Sequence, residues 1–255
     1  MKRGSSQSKR CNLAFFTEYG AQVTGRIPSQ ERRLRFFNDV VYETFPAAYN
    51  AVDRLTFGAW WQLVRRALEY VPEGGRVLEI GFGPGRLHVE LARRAGQCVG
   101  LDLAWGMCRF TQRRLHRAGL NSQIVRGSVF TLPYPGNLFD TVVSTFAFSG
   151  FPEGERAMGE MARVTAAGGC VVLVDMGLPR DRNRVGMFLA RLWQYLGDFL
   201  YDQPLLMQEA GLEVTVFEEF GPGDHIRAIV GQKPGREDIS IPSCFNRGEM
   251  RRREG

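Results

Sequence analysis

The sequence predicts an α/β fold, in which a doubly wound, mostly parallel sheet carries helices on both faces. Apolar segments of strand length alternate along the chain with segments of helical periodicity, which is the pattern of βαβ units. Glycines, acids and serines follow the apolar segments, at the strand ends where sheets of this class bind ligands. The 255 residues suffice for one such domain with extensions.

The first strand and the turn after it are the most informative stretch. An apolar strand at 77–80 contains one acid, Glu79, and glycines follow at positions 81, 83 and 85. Glycine lets the backbone approach a ligand where a Cβ would collide. A second apolar strand, 98–101, ends in Asp102, nineteen residues beyond Gly83. Because an acid at that place can accept hydrogen bonds from ribose hydroxyls, the unit predicts a nucleotide site.

The glycine turn has two other interpretations. The G-x-G-x-x-G/A fingerprint of nicotinamide and flavin enzymes places its third small residue at Arg86, whose length conflicts with close helix–strand packing. The turn could also be a tight strand–helix connection without a ligand. That interpretation does not explain Asp102 or the further motifs that follow it in order along the chain.

The remaining elements follow from periodicity and turn signals. Helices are predicted at 56–70, 86–95, 105–117 and 154–164, and further strands at 139–144, 170–175, 214–217 and 226–230. The last two strands flank Gly221-Pro222-Gly223 and are expected to pair antiparallel.

The pattern E-x-G-x-G-x-G at 79–85 resembles motif I of the class I S-adenosylmethionine-dependent methyltransferases. Residues 127–134 resemble that family's G-D-A-x-x-L-P-F segment, 139–144 its fourth strand, and 167–175 its P-G-G loop and fifth strand. The resemblance is closest to the ubiquinone/menaquinone C-methyltransferases. It implies a Rossmann-like methyltransferase domain over 46–233 with a seven-stranded sheet, whose seventh strand is antiparallel between the fifth and sixth, and S-adenosylmethionine as cofactor.

The resemblance also implies which residues hold the cofactor. Asp102 would bind the ribose, Leu103 and Met107 would cover the adenine, and Ser128 stands where the family has an Asp that accepts from the adenine amine. The expected cofactor-binding set is Glu79, Gly81, Phe82, Gly83, Gly85, Asp102, Leu103, Met107, Ser128, Val129 and Ser144.

Two segments outside the core are expected to determine the acceptor. Residues 48–61 resemble the Y-D…S-x-G…W segment of the quinone enzymes, with Tyr49 as the tyrosine over the cofactor and Asn50 replacing its Asp. The same aromatics could instead pack an N-terminal helix onto the sheet. Residues 178–209 form a helical, substrate-side insert that is apolar on most sides and preceded by arginines. Such a helix packs in a core or homodimer interface, lines a pocket for an apolar substrate, or rests on an anionic membrane.

The chemistry that the resemblance implies is in-line transfer of a methyl group to an oxygen, nitrogen or carbon nucleophile. The protein chiefly orients the reactants, and a base is needed only where the nucleophile must lose a proton. Tyr49, Asp175 and His225 are the candidate bases by their expected location. A small or lipid-like apolar acceptor is predicted. A cofactor-binding protein without catalysis and a nucleic-acid methyltransferase are the alternatives.

A net charge of +6 permits nucleic-acid or anionic-membrane binding. However, the fourth strand lacks both a Pro-Cys pair and the (D/N)-P-P-(F/Y) motif, which argues against a nucleic-acid substrate. Five cysteines without a C-x-x-C pair and three scattered histidines predict a reduced protein without a metal site.

No apolar run is long enough to span a bilayer, and no apolar segment of a secretory signal follows the basic N-terminus. The expected location is the cytoplasm, with membrane association at the surface left open. Residues 1–45 are predicted to be a partly disordered, partly helical extension, and residues 234–255 a charged, disordered tail.

Overall fold

The structure, a computed structural model, describes residues 58–235. The expectations for Tyr49 and Asn50, for the extension at 1–45 and for most of the charged tail lie outside the described residues.

One sheet organises the described chain. Its strands are β1 (Gly74–Ile80), β2 (Ala95–Asp102), β3 (Gln123–Arg126), β4 (Phe139–Thr145), β5 (Thr165–Met176), β6 (Glu213–Phe220) and β7 (Ile226–Gln232). Their spatial order is β3-β2-β1-β4-β5-β7-β6. The first five are parallel, and β7 runs antiparallel between β5 and β6, as predicted. Because the order reverses between β1 and β4, the carboxyl ends of these two strands open a crevice.

The helices are α1 (Ala59–Arg65), α2 (Arg86–Arg94), α3 (Trp105–Arg117), α4 (Gly154–Val164), α5 (Arg184–Leu196) and α6 (Gln203–Glu209). The bounds of α3 and α4 match the predicted ones. The predicted helix at 56–70 is divided, because the chain tightens from α1 into a 3₁₀ helix at Arg66–Tyr70 before the extended Val71. The second predicted helix is one residue too long, since Ala95 is already extended and begins β2.

Both faces of the sheet are buried. Leu78 and Ile80 enter the core on one face with Phe148, Met158 and Met161. The alternate residue Val77 enters the core on the other face, which includes Leu87 and Leu91 of α2. Successive residues of a strand point to opposite faces, so a strand covered on both sides reads as a continuous apolar run. Cys98 and Cys170 are buried among these residues.

The insert at 178–209 contains α5 and α6. The side chain of Asn183 accepts from the backbone N–H of Gly186 at 2.8 Å and begins α5. The helix ends at Gly197, whose φ is 134°, so the insert is not helical over its whole length. Within residues 58–235, no helix is long and apolar enough to cross a membrane.

Candidate active site

A cavity of about 400 Å³ opens at the carboxyl ends of β1, β2 and β4. The glycine turn after β1 and Asp102 after β2 line one part of it. The other part is lined by large aromatic side chains, here called the aromatic wall: Trp60, Phe130, Phe146, Phe151 and Trp193. Within this wall, the ring centroid of Trp60 lies 4.3 Å from that of Phe146 and 6.5 Å from that of Trp193.

The turn after β1 requires glycine for two separate reasons. At Gly81, φ is +70° and a Cβ would lie 2.4 Å from the Cβ of Ala147, so no side chain fits between the ends of β1 and β4. At Gly83, φ is +50° and a Cβ would meet no atom within 4 Å. Gly83 also lines the cavity. The turn therefore leaves a cradle that a side chain would fill.

Asp102 is tied to this turn by its carboxylate. Its Oδ2 accepts from the backbone N–H of Gly83 at 2.9 Å, and its Oδ1 accepts from the N–H of Ala104 at 2.9 Å. These bonds hold the carboxylate at the edge of the cavity. Because a carboxylate can accept about four hydrogen bonds, this anchoring is compatible with binding a pair of ribose hydroxyls.

Glu79 is a buried carboxyl group in the cavity wall. It is 1 % exposed, and its Oε2 lies 2.9 Å from Nδ1 of His88. Its Oε1 has no hydrogen-bond partner within residues 58–235. Burial raises the pKa of this carboxyl. A buried acceptor without a partner is costly, which makes Oε1 suited to a cationic group in the cavity.

The proton positions around His88 follow from the network behind it. The hydroxyl of Ser122 donates to the carbonyl of Cys98 at 2.8 Å, so Nε2 of His88, 2.8 Å away, must donate to Ser122. Nδ1 then shares the second proton with Glu79. Burial lowers the pKa of His88, but its hydrogen bonds with Cys98 and Glu79 outweigh burial and raise it to about 10.

Nine of the eleven expected cofactor residues line the cavity. They are Glu79, Gly81, Phe82, Gly83, Asp102, Leu103, Met107, Ser128 and Val129. Gly85 and Ser144 are not among the lining residues: Gly85 is the N-cap of α2, and the Ser144 side chain is buried within the sheet. The hydroxyl of Ser128 accepts from the N–H of Phe130 and caps a short 3₁₀ helix.

Two of the three predicted bases, Asp175 and His225, do not line the cavity. Asp175 is 1 % exposed, and its oxygens accept from the backbone N–H groups of Ser149 and Met176 at 3.0 and 2.7 Å. His225 is buried at the turn between β6 and β7, with Nδ1 2.6 Å from the carbonyl of Pro222. Tyr49 lies outside the described residues.

Sequence reasoning missed the carboxylate that does line the aromatic part of the cavity, Asp198. It follows α5 and Gly197, in an insert whose apolar character dominates its sequence. The available signal was that Asp198 is the single acid in residues 184–201.

Comparison with known proteins agrees with this geometry. Residues 78–173 match a family model described as a methyltransferase domain. Demethylmenaquinone methyltransferase of Thermus thermophilus is 34% identical over 161 residues, which cover 60% of this chain and 73% of that protein. Phosphatidylethanolamine N-methyltransferase of Cereibacter sphaeroides is 34% identical over 167 residues, which cover 62% and 80%.

The chain belongs to the class I S-adenosylmethionine-dependent methyltransferases. A SAM-dependent methyltransferase structure from Thermotoga maritima shares the fold of this methyltransferase, with a TM-score of 0.60, 22% identity and coverage of 76% and 98% of the two chains. The residues present fit the cofactor, because the cradle at Gly83 and the orphaned Oε1 of Glu79 lie in the cavity that Asp102 borders.

We expect replacement of Asp102 by alanine to weaken S-adenosylhomocysteine binding at least about tenfold, since a hydrogen bond to a charged group contributes about 1.5–3 kcal/mol. Calorimetric titration measures this affinity. Asp140→Ala is the matched control, because Asp140 bonds the backbone of Arg76 at the opposite end of β1. Unchanged affinity in a folded Asp102→Ala variant would contradict the assignment.

We expect His88→Ala to destabilise the fold by about 3–5 kcal/mol, because Glu79 is left buried without its partner. The folded-state pKa of His88, about 10, exceeds the ordinary value. The stabilisation is therefore complete below about pH 6.5 and is lost as the pH rises through about 10.

Urea unfolding at pH 6 and pH 10 measures both effects. The exposed His116 provides the control, and His116→Ala should change stability by no more than about 0.5 kcal/mol. Equal stability of the two variants at pH 6 would show that the buried pair contributes nothing.

Proposed function

We propose that this methyltransferase methylates a quinone-like or lipid-like acceptor whose apolar part lies against the aromatic wall. The continuity of the cavity carries the proposal, because the glycine turn and Asp102 share one space with Trp60, Phe146 and Trp193. A methyl donor held by the turn and an acceptor held by the wall would therefore meet without leaving the protein.

The composition of the wall favours an apolar acceptor. Burial of apolar surface contributes about 25 cal/mol per Å², so a ring with a short chain that buries about 200 Å² would gain about 5 kcal/mol. Arg86 and Trp61 also line the cavity. The guanidinium of Arg86 lies 4.3 Å from the ring centroid of Trp61, and this cation–π contact stabilises the charged side chain beside the apolar wall.

The residues on the other side of the cavity are proposed to hold the cofactor, which supplies an activated methyl group when bound. Glu79 would bind its ammonium group, and the backbone of Gly81 to Gly83 would lie against its amino-acid part. Asp102 would bind the ribose hydroxyls, and Leu103, Met107 and Ser128 would surround the adenine. Catalysis then depends on holding the acceptor in line, and such orientation can contribute roughly 7–11 kcal/mol.

The names of the relatives support this substrate class. One is named for demethylmenaquinone and the other for phosphatidylethanolamine, and both of these molecules join a small polar reactive group to long apolar chains.

Transfer from methyl-labelled S-adenosylmethionine tests the proposal, with demethylmenaquinol and phosphatidylethanolamine in detergent micelles as acceptors. We expect labelled product from one of them and none from ethanolamine, which lacks the apolar chains. Trp193→Ala should raise the KM for the acceptor about tenfold and leave S-adenosylhomocysteine affinity unchanged. The control is Trp105→Ala, since Trp105 is 50% exposed and does not line the cavity. Transfer to ethanolamine alone, or to no acceptor, would contradict the proposal.

We also propose that α5 rests on an anionic bilayer from which the acceptor enters. Its outer face consists of Val185, Phe188, Leu192 and Tyr195, which are 58, 67, 40 and 65% exposed. Their spacing places them on one side of the helix, whereas Gly186 and Ala190 on the other side are buried.

The charges of α5 complement such a surface. Arg184 and Arg191 are exposed, and the sequence of the helix contains no acid. A helix with an apolar face beside basic residues binds the interface of anionic membranes. Trp193 and Leu196 of the same helix line the cavity, so the contact would bring the acceptor to the aromatic wall.

Co-sedimentation with phosphatidylglycerol vesicles tests this contact, with phosphatidylcholine vesicles for comparison. Phe188→Ser with Leu192→Ser should lower binding at least about tenfold, because each exposed apolar side chain contributes about 1.5–3 kcal/mol when buried. Arg184→Glu with Arg191→Glu should weaken binding to phosphatidylglycerol vesicles. The matched control, Arg113→Glu with Arg117→Glu on the exposed side of α3, should not. A dimer that dissociates in the Phe188/Leu192 variant, without vesicle binding by the native protein, would identify the face as a dimer interface instead.

A further inference from the structure

Asp198 occupies a defined position in the aromatic part of the cavity. The chain turns at Gly197, with φ of 134°, and brings Asp198 from the end of α5 into the cavity lining. The hydroxyl of Ser149, in the short 3₁₀ helix Phe148–Gly150 after β4, donates to Asp198 Oδ1 at 3.2 Å. The next residue, Phe199, donates its N–H to the carbonyl of Ser149 at 2.6 Å. The carboxyl is thus fixed against the end of β4 by two contacts.

The two neighbouring carboxyl groups differ in what they can reach. Asp175 has both oxygens bound by backbone N–H groups and does not line the cavity. Its hydrogen bond with the N–H of Ser149 ties the 3₁₀ helix after β4 to β5. Asp198 lines the cavity together with Phe146, Phe151 and Trp193, where the apolar part of an acceptor is proposed to lie.

The surroundings of Asp198 tune its affinity for a proton. Burial and the charge of Asp175 raise its pKa to about 7, against the lowering effect of the Ser149 hydrogen bond. The other charged groups in the cavity lining are Glu79, Arg86 and Asp102. A base that changes protonation near neutral pH combines a large ionised fraction with a substantial proton affinity.

We propose that Asp198 is the catalytic base, and that it takes the proton of an acceptor whose reacting group is a hydroxyl or an ammonium. This inference rests on the proposed function and narrows it, because an acceptor without such a proton would not need Asp198.

The step balances in protons and charge. The acceptor proton passes to an oxygen of the Asp198 carboxylate, and the freed electron pair forms a bond to the methyl carbon of S-adenosylmethionine. The carbon–sulfur bond breaks, and its electron pair remains on sulfur in the neutral product S-adenosylhomocysteine. For a quinol, the electron pair of the deprotonated oxygen is delocalised to the ring carbon that bonds the methyl group. That carbon then loses its hydrogen as a proton and the oxygen regains a proton, so the aromatic ring is restored and one proton is released in total. For an aminophospholipid, the ammonium loses one proton and becomes a methylated ammonium.

The first test is Asp198→Asn, which preserves shape and removes the base. We expect kcat to fall at least about 100-fold, in line with the usual contribution of general-base catalysis. S-adenosylhomocysteine affinity should stay within about twofold of wild type. The wild-type rate should rise with pH through an inflection below pH 7, because the bound sulfonium lowers the pKa of Asp198 from about 7, and the variant should lack this inflection. Asp181→Asn, at an exposed position of the same insert, is the control and should keep the wild-type rate and profile.

Two further measurements separate a base from a structural residue. Ser149→Ala removes the hydroxyl that lowers the pKa of Asp198, so the inflection should move to higher pH while turnover persists. Calorimetry of acceptor binding to the S-adenosylhomocysteine complex, in buffers of different ionisation enthalpy, should show proton exchange near pH 7 in the wild type and none in Asp198→Asn.

The outcomes are distinguishable. If the wild type methylates an acceptor and Asp198→Asn keeps its rate and inflection, the role of Asp198 is overturned and the proposed function stands. If the wild type methylates neither acceptor class, the proposed function fails and this inference fails with it. The two acceptors decide between a hydroxyl and an ammonium as the proton source.

Discussion

The hydrogen bond from the Gly83 N–H to the Asp102 carboxylate, 2.9 Å long, joins the ends of the first two strands, and the whole site depends on it. The bond fixes the turn in a conformation with positive φ values, which residues other than glycine adopt only at an energetic cost. It also sets the carboxylate at the edge of the cavity. On the other side of the turn, Gly81 packs so closely on Ala147 that no side chain fits between the ends of β1 and β4. One short segment thus determines the spacing of three strand ends and the shape of the cradle between them.

The sheet order and most of the cofactor side were predictable, because they rest on local signals. Three signals each span only a few residues of the chain: the glycines at alternate positions, the acid after the second strand, and the Gly-Pro-Gly turn before β7. Ser144 and Asp175 also lie near strand ends, but strand position alone does not distinguish a side chain in the cavity from one behind it. Asp175 is bound by the backbone N–H of Ser149, a contact across 26 residues of sequence that no local pattern contains. Asp198 was missed for the same reason, since its position depends on the turn at Gly197 and on the packing of the insert against the 3₁₀ helix after β4.

The apolar residues of the insert lie on two different surfaces of α5, one that faces the protein and one that is exposed. A helix that is apolar on most sides would be expected in a core, yet α5 buries only the side that carries Gly186 and Ala190. Gly186 is required there, because a Cβ would collide with the backbone of Gly223. Trp193 and Leu196 face the cavity, and the outer face beginning at Val185 stays exposed. Sequence periodicity could identify the apolar character of both sides but not the element that covers each of them. For an acceptor with long apolar chains, the proposed contact of α5 with a bilayer would shorten the path from the membrane to the cavity.

In the proposed reaction, the charges of the cavity couple the transfer of the methyl group to the transfer of the acceptor proton. The cofactor is a sulfonium cation before transfer and a neutral thioether after it. A cation in the cavity stabilises the ionised form of a nearby carboxylate, so it would lower the pKa of Asp198 and keep the base ready while the methyl group is present. Loss of that cation on transfer would return the pKa toward the raised value that burial and Asp175 impose. Asp198 would then hold the proton it has taken, which disfavours the reverse proton transfer. The buried pair of Glu79 and His88 adds to this arrangement, because His88 shares its proton with Glu79 and thereby limits the number of uncompensated negative charges near the turn. The burial that makes each carboxyl costly to the fold is thus the property that lets Asp198 respond to the charge of the cofactor.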